Sequence, residues 1–460
     1  MTDKNDLIQP DKGQQATSIH LVDKDGLDTF VKSLSGAQRA ALAAQKFEAD
    51  KHQSAIIPDG DEWFVVSGVA DPAKLSSWCI AKLAETLPAG TYRLAQGEPG
   101  QAMHGWITGQ YRFARYQSED KGEGPRVLLT GKAKAIPAAL AEAQAVAMVR
   151  DLVNTPAEDM GPAGLEAEAE KLANANGGKL SMTRGDMLER EFPMVHSVGR
   201  AASREHAPRM IELEWGDPKH PRIAVVGKGV TFDSGGLDLK PGSGMALMKK
   251  DMGGAAHALA LARLIMETEL KVRLHLLVPA AENAVSGNAF RPGDVLKSRS
   301  GTSVEITNTD AEGRLLLGDA LTRAGEEDPE LVIDFATLTG AARSALGPDL
   351  PALFARKEET AQALLAAGLA HDDPCWQLPL HDAYREWLKS DIADVMNSHA
   401  NAFAGASVAA LFLDKFVPEG TDWAHFDTFA WRPTAKPGRP KGGDALGLRA
   451  VWHMLKQKYA

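Results

Sequence analysis

Asp233, Asp251, Asp310 and Glu312 fall in two short polar segments together with Lys228, Lys240 and Arg314, and any chemistry in this chain starts there. The first segment, VGKGVTFDSGGLDLKPGSGMALMKKDMGG (226–254), carries Lys228, Asp233, Lys240 and Asp251 in a glycine-dense stretch that lets the backbone turn sharply. In the second, ITNTDAEGRLLLGDAL (306–321), Asp310, Glu312 and Arg314 take alternate positions ahead of a helix, so an extended loop would point all three to one side. Gathered at one place, the four carboxylates repel one another unless cations lie between them. Two divalent ions meet that need: oxygen donors suit Mg²⁺ or Mn²⁺, and Zn²⁺ also accepts carboxylates. Such a pair, about 3.5–4 Å apart, makes a bridging water nucleophilic and polarises a carbonyl, which is hydrolytic chemistry.

The surrounding pattern supplies a frame for these segments. Beyond residue 208, apolar runs predict strands at 223–227, 272–278, 304–307 and 331–336, with helices at 255–269, 314–326 and 358–370. This alternation predicts an α/β fold with a mostly parallel central sheet flanked by helices. Ligands of such sheets gather beyond the carboxyl ends of the strands, where both polar segments begin. After a polar leader of about 17 residues, short β-like runs (18–22, 63–69, 127–129) and a helical stretch (71–87) predict a smaller N-terminal α/β domain. A helix from about 136 to 156, closed by Thr155-Pro156, links that domain (1–150) to the second (157–460), in which another helix runs from about 162 to 175 before Asn176-Gly177-Gly178. Trp63, Trp78, Cys79 and Trp106 read as packing residues.

Composition narrows the function further. The 460 residues hold 44% hydrophobic and 24% charged residues at a net charge of -10, an ordinary globular balance that needs no disulfide or metal to staple its core. No apolar run reaches the roughly 18 residues of a membrane span, and residues 1–20 lack the basic and apolar regions of a signal peptide, so neither membrane nor secretion is expected. Cys79 and Cys375 alone exclude a disulfide framework, which fits a reducing cytoplasm. The near-neutral first 150 residues and the acidic remainder give no positive field for nucleic acid.

The octapeptide NTDAEGRL (308–315) carries a specific resemblance: the chain resembles the cytosolic leucyl aminopeptidases, a two-metal family. GKGVTFDSGG (227–236), KKDMGGAA (249–256), PAAENAVSGNAFRPGDVL (279–296), FATLTGA (335–341), RDLVNTP (150–156) and LKSDIADVMNS (388–398) extend it over roughly residues 150–427. The resemblance implies that Lys228, through a neutral amine, holds one metal with Asp233 and Asp251, that Asp233 and Glu312 bridge both metals, and that Asp310 completes the second. It implies that Lys240 stabilises the oxyanion of the tetrahedral intermediate and that Arg314 holds a bicarbonate acting as general base. Met248, Thr337 and Gly340 match the pocket for the first side chain, a largely apolar floor suited to leucine. Peptides with a free N-terminus are the implied substrates, because the α-amino group binds the second metal, and a homohexamer with the N-terminal domain serving assembly or access is the implied assembly.

Singly, most of these residues have plainer readings. Asp251 and Asp310 fit turn or cap roles, Met248 fits core packing, and Lys249 reads as a surface charge. A serine hydrolase, suggested by Asp233-Ser234-Gly235-Gly236, fails on the α/β pattern and on Phe232 where a glycine is expected. His257 and His275 read as structural. A DNA-binding or architectural role, known for some members of the family, is the alternative function, and the charge argues against it. The resemblance departs from its pattern at Ala342-Arg343 and over 423–455, where Phe429, Trp431 and the region of Arg439 are expected to flank the pocket.

Overall fold

In a computed structural model, which describes residues 7–119 and 122–460, the chain divides into two compact units. The first comprises residues 1–147 and 434–441, and the second residues 148–433 and 442–460. The helix Ile136–Asn154 runs from one into the other, with the division at Ala147 and Met148. No helix among the described residues is long and apolar enough to cross a membrane.

The first unit is built on a six-stranded sheet in the order Ile8–Pro10, Arg126–Thr130, Gly90–Leu94, Thr17–Val22, Glu62–Gly68, Ser54–Asp59. All pairings are parallel except the last. Part of the expected leader is therefore an edge strand: Leu7 and Ile8 are buried, and Ile8 pairs with Leu128. Only Ala81–Thr86 of the expected 71–87 helix is helical. The Asp71 carboxylate accepts from the Ala73 amide instead, a local turn that competes with helix formation. Cys79 and Trp106 are buried in this unit's core.

The second unit is a nine-stranded sheet whose centre is parallel: Asp422–Asp427, Leu331–Ala336, Arg222–Gly227 and Arg273–Asn283 run side by side. Antiparallel neighbours, Ala352–Ala355 on one side and Arg209–Trp215 on the other, flank that centre. Successive residues alternate between two covered faces. Ala224, Val226, Val332 and Ala336 pack into one apolar cluster with Leu316, Leu317 and Ala320 of the helix Gly313–Gly325. On the opposite face, Phe335 stacks on His257 of the helix Gly253–Glu267. Helices thus cover both faces, as the near-continuous apolar strands require.

One expected central strand lies elsewhere. Ser303–Glu305 belongs to a separate three-stranded sheet with Val295–Lys297 and Val395–Met396. It is short because the Ile306 amide turns to the Asp294 carbonyl and the Thr307 amide to the Asn397 side chain, which ends the ladder. The helix after it is pinned by Asp319, whose buried carboxylate accepts from the amides of Met194 (2.8 Å), Val195 (3.3 Å) and Arg299 (2.7 Å). These three bonds to backbone tie the middle of that helix to the helix Pro193–Gly199 and to the loop at Arg299.

Candidate active site and metal centre

The first polar segment leaves the carboxyl end of the central strand Arg222–Gly227, and the second follows Ser303–Glu305 of the smaller sheet. After Gly227 the chain steps out of its pairing at Lys228 and re-enters beside Arg273–Asn283 as the strand Gly229–Asp233. At the step, the Lys228 amide donates to the Phe335 carbonyl (2.9 Å), and its own carbonyl accepts from Ala255 (2.8 Å). The irregular register between Val230 and Asp233 then aims Asp233 inward. Asn283 holds it there, its Nδ2 donating to Asp233 Oδ1 at 2.8 Å and to the Thr309 carbonyl at 3.1 Å. Thr309 and Asp238 close the link between the two segments: Thr309 Oγ1 donates to the Gly235 carbonyl (2.7 Å), and the Thr309 amide donates to Asp238 Oδ2 (2.7 Å).

The NTDAEGRL segment is not extended as its alternation suggests. Glu312 already has helical backbone, and the helix starts at Gly313. Gly313 is required by a close approach, since a Cβ there would lie 2.3 Å from Lys228 Cε. The lysine stem crosses the first turn of the helix, and only a missing side chain lets it reach the carboxylates. Asn397 clasps the other side of the segment, accepting from the Thr307 amide (2.9 Å) and donating to the Asn308 carbonyl (2.7 Å).

Asp233, Asp310 and Glu312 converge, each with an oxygen within 4.8 Å of the others'. Lys228 Nζ ties Glu312 Oε1 (3.0 Å) to Asp251 Oδ2 (2.7 Å), so Asp251 joins the cluster through the lysine. Lys240 Nζ pairs with Asp233 Oδ2 (2.8 Å) and with Asp310 Oδ1. Asp251 is further held by the Thr337 hydroxyl, which donates to its Oδ1 at 2.7 Å.

The electrostatics are those of crowded acids. Burial, reinforced by Asp233, pushes the Glu312 carboxyl up to about 8 and the Asp310 carboxyl up to about 6. Burial pulls the Lys228 ammonium down, but Asp251, Glu312 and Asp233 outweigh it and hold the group above the ordinary lysine range. Lys240 is raised in the same way by Asp233 and Asp310 against its own burial. Two ammonium groups face four carboxylates, and Glu312 Oε2 is buried with no hydrogen-bond partner among the described residues. Four carboxylates beside a lysine nitrogen, one of them with an unpartnered buried oxygen, fit divalent cations.

The other expected site residues sort unevenly. Arg314 is buried beside the cluster; its Nη1 donates to the Asn397 carbonyl (2.6 Å), while its Nε has no partner among the described residues. Burial lowers its pKa to about 10, which leaves it a cation at neutral pH. Met248 is half-buried at the start of the turn Met248–Met252, Thr337 is buried, and Gly340 is exposed at the start of the helix Gly340–Leu346. Lys249 is not a free surface charge, since its Nζ donates to the Asn154 carbonyl at 2.6 Å. Arg439 belongs to the first unit, where its guanidinium lies 4.5 Å from the Trp78 ring centre. His257 is a structural tie, bonded to Gly253 and Leu446 and held neutral, its pKa lowered to about 4 by burial.

Two cations without an assigned role in the sequence, Lys250 and Arg343, meet on Phe429, which the sequence pattern is expected to place beside the pocket. Lys250 is buried, and its Nζ lies 5.0 Å from the centre of the Phe429 ring. Arg343 Cζ lies 4.8 Å from the centre of the same ring. Nothing in residue spacing announces this trio, because its members come from three distant segments.

Comparison with known proteins decides what this arrangement is. Residues 147–452 match the cytosol aminopeptidase family, catalytic domain, and residues 17–128 match the M17 aminopeptidase N-terminal domain. The chain belongs to the cytosol aminopeptidase family. A probable cytosol aminopeptidase of Syntrophotalea carbinolica is 40% identical over 373 residues, covering 77% of this chain and 74% of the relative. The crystal structure of the cytosol aminopeptidase from Coxiella burnetii superposes with a TM-score of 0.93 at 44% identity, over 99% of this chain and 100% of that one. The bottromycin maturation enzyme BotP in complex with Mn matches with a TM-score of 0.87 at 32% identity, over 97% and 100% of the two chains. As a member of the family, this protein is a metal-dependent aminopeptidase, a hydrolase that removes residues from the N-termini of peptides.

Proposed function

We propose that this cytosol aminopeptidase holds two divalent ions at Lys228, Asp233, Asp251, Asp310 and Glu312 and uses them to hydrolyse the first peptide bond of peptides with a free N-terminus. The convergence of Asp233, Asp310 and Glu312 around the unpartnered Glu312 Oε2 carries this reading. When bound, two such ions supply Lewis-acid polarisation of the scissile carbonyl and lower the pKa of water at the site. Mn²⁺ or Zn²⁺ is the proposed pair, with Mg²⁺ also suited to the oxygen donors. Lys228 donates to the set as a neutral amine, since adjacent dications reverse the carboxylate effect that keeps it protonated. Asp233 and Glu312 would be shared by both ions, and Asp310 would complete the set of the second.

The remaining roles belong to cations of the chain itself. Lys240, held by Asp233 and Asp310, places an ammonium where negative charge develops on the carbonyl oxygen. Arg314, with a buried free Nε, offers a planar edge suited to bicarbonate, the proposed general base. Met248, Thr337 and Gly340 line the pocket for the first side chain, which takes leucine and other apolar residues. Residues 157–460 form the catalytic domain, and residues 1–150 serve assembly or access. A homohexamer, as the family resemblance implies, in the cytoplasm is the proposed setting; the names of the relatives support the cytosolic part of it. DNA binding gains nothing from the matches or from the charge.

Arg314→Ala tests the assignment. The substitution is expected to slow hydrolysis of a leucyl anilide by about 10²-fold, the lower range for positioned acid–base catalysis, while elemental analysis still finds two ions per chain. Loss of both ions together with activity would make the arginine a structural prop and remove the bicarbonate role.

A further inference from the structure

Arg314 and the loop that follows Val395–Met396 leave two buried polar atoms unanswered. Arg314 Nε has no hydrogen-bond partner among the described residues, and neither has Nδ1 of His399. His399 lies two residues beyond Asn397, whose carbonyl accepts from Arg314 Nη1 at 2.6 Å. Burial, with the Arg314 guanidinium adding to it, holds the His399 imidazole below the ordinary histidine range, so the ring lies within electrostatic reach of that cation and is neutral at pH 7. Orphaned buried polar atoms are few in folded proteins and each is costly, so two of them on neighbouring groups call for a ligand that answers both.

His399 is held in place by its surroundings. Its ring packs on Trp387 with 5.5 Å between ring centres, and Trp387 stacks on Tyr384 at 4.2 Å; both of these rings rest on the large apolar cluster of the sheet. Just before it, the Ser398 carbonyl accepts from the Thr307 hydroxyl (2.6 Å), and Asn397 donates to the Asn308 carbonyl (2.7 Å). The backbone at His399 is therefore tied to the same segment that leads into the helix of Arg314. His399 itself is the first residue past LKSDIADVMNS, where the sequence resemblance to the family stops.

The two orphans differ in kind. Arg314 Nε is a donor, whereas the buried cation beside His399 disfavours a hydrogen on its inner nitrogen, which leaves Nδ1 of the neutral ring an acceptor. A ligand that meets both must accept from one and donate to the other, and the guanidinium favours one with negative charge. We propose that His399 Nδ1 is a second contact of the oxyanion held by Arg314 and makes the site select an oxyanion that carries a hydrogen, bicarbonate over an aprotic anion such as formate. The inference rests on the anion role given above to Arg314. With its hydroxyl turned to His399 and one oxygen to the guanidinium, bicarbonate keeps its remaining oxygen unprotonated to take a proton from water.

The test uses the full-length Mn²⁺-loaded enzyme in buffer stripped of carbon dioxide, at one fixed pH. Bicarbonate and formate are each added back while leucyl anilide hydrolysis is followed, and calorimetric titration measures the binding of each anion directly. His399→Phe keeps a ring against Trp387 but removes the acceptor; it is expected to weaken bicarbonate binding about tenfold or more, to raise the half-saturating bicarbonate concentration equally, and to leave formate unchanged. His399→Asn returns an acceptor oxygen to the position of Nδ1 and is expected to recover bicarbonate binding to within about threefold of the wild type. A His399→Phe enzyme that binds bicarbonate as the wild type does, or that loses bicarbonate and formate in equal measure, overturns the proposal. Loss of the metal ions from both variants makes His399 a structural prop and overturns it as well. Wild-type rates indifferent to bicarbonate would instead overturn the anion role of Arg314, and the proposal with it.

Discussion

Glu312→Gln is expected to abolish turnover while leaving the protein folded. Partners that touch a metal site only through a ligand are worth about 10–100-fold, so losing a ligand shared by both ions should cost at least about 10³-fold in rate. The local chemistry makes the substitution disruptive despite its equal size. Glu312 Oε1 accepts from Lys228, and Oε2 is the unpartnered buried oxygen. A glutamine must turn its NH₂ group toward one of them, which sets donor against ammonium or puts a donor where a cation belongs. Folding is not at stake, because removing one of four crowded carboxylates relieves repulsion. Asp233→Asn should behave alike: its Oδ1 is fixed by Asn283 and the Gly235 amide, so the new NH₂ would face Lys240. Elemental analysis with leucyl anilide kinetics checks both variants. Near wild-type rates in either would contradict the assignment of the shared ligands.

Lys240→Gln carries the second large effect. Its ammonium is the positive group of the cluster that retains some exposure, at 15% of its side chain, whereas Lys228 is at 3%. Lys240 is therefore the one able to meet a substrate oxygen. Removing a preorganised donor to a developing oxyanion costs about 10²–10³-fold in kcat, with a small effect on KM. The separation of kcat from KM matters, because a lysine that merely held Asp233 and Asp310 in place would alter metal content instead. A variant that keeps two ions and loses less than about tenfold in kcat would assign oxyanion stabilisation to another group.

The parts of this site that could be read in the sequence were those that chemistry compresses into short spacing. NTDAEGRL and GKGVTFDSGG carry their acids and cations within a few residues of one another, and in the fold Asn283, Thr309 and Asp238 link the two segments so that their acids converge. The central strands and the helix Glu358–Ala370 follow from apolar runs of the right length. What escaped depended on tertiary partners. The strand at Ser303–Glu305 has the composition of a central strand, yet it is diverted by Asp294 and Asn397. The edge strand Ile8–Pro10 is too short to announce itself in a polar context and exists because Arg126–Thr130 offers it a partner. Asn283 and Asn397 lie in recognisable segments, but only the folded chain shows that one aims Asp233 and the other clasps the loop of Asp310. Lys250, Arg343 and Phe429 come from three segments that meet only through the fold.

The most direct test of the central claim is hydrolysis of leucyl anilide by the purified protein after chelation and again after Mn²⁺ or Zn²⁺ is restored, with N-acetyl-leucyl anilide as the blocked control. The account predicts no turnover after chelation, recovery on metal addition, and no cleavage of the acetylated substrate under any condition. Turnover that survives complete metal removal, or cleavage of the blocked substrate at a comparable rate, would contradict it.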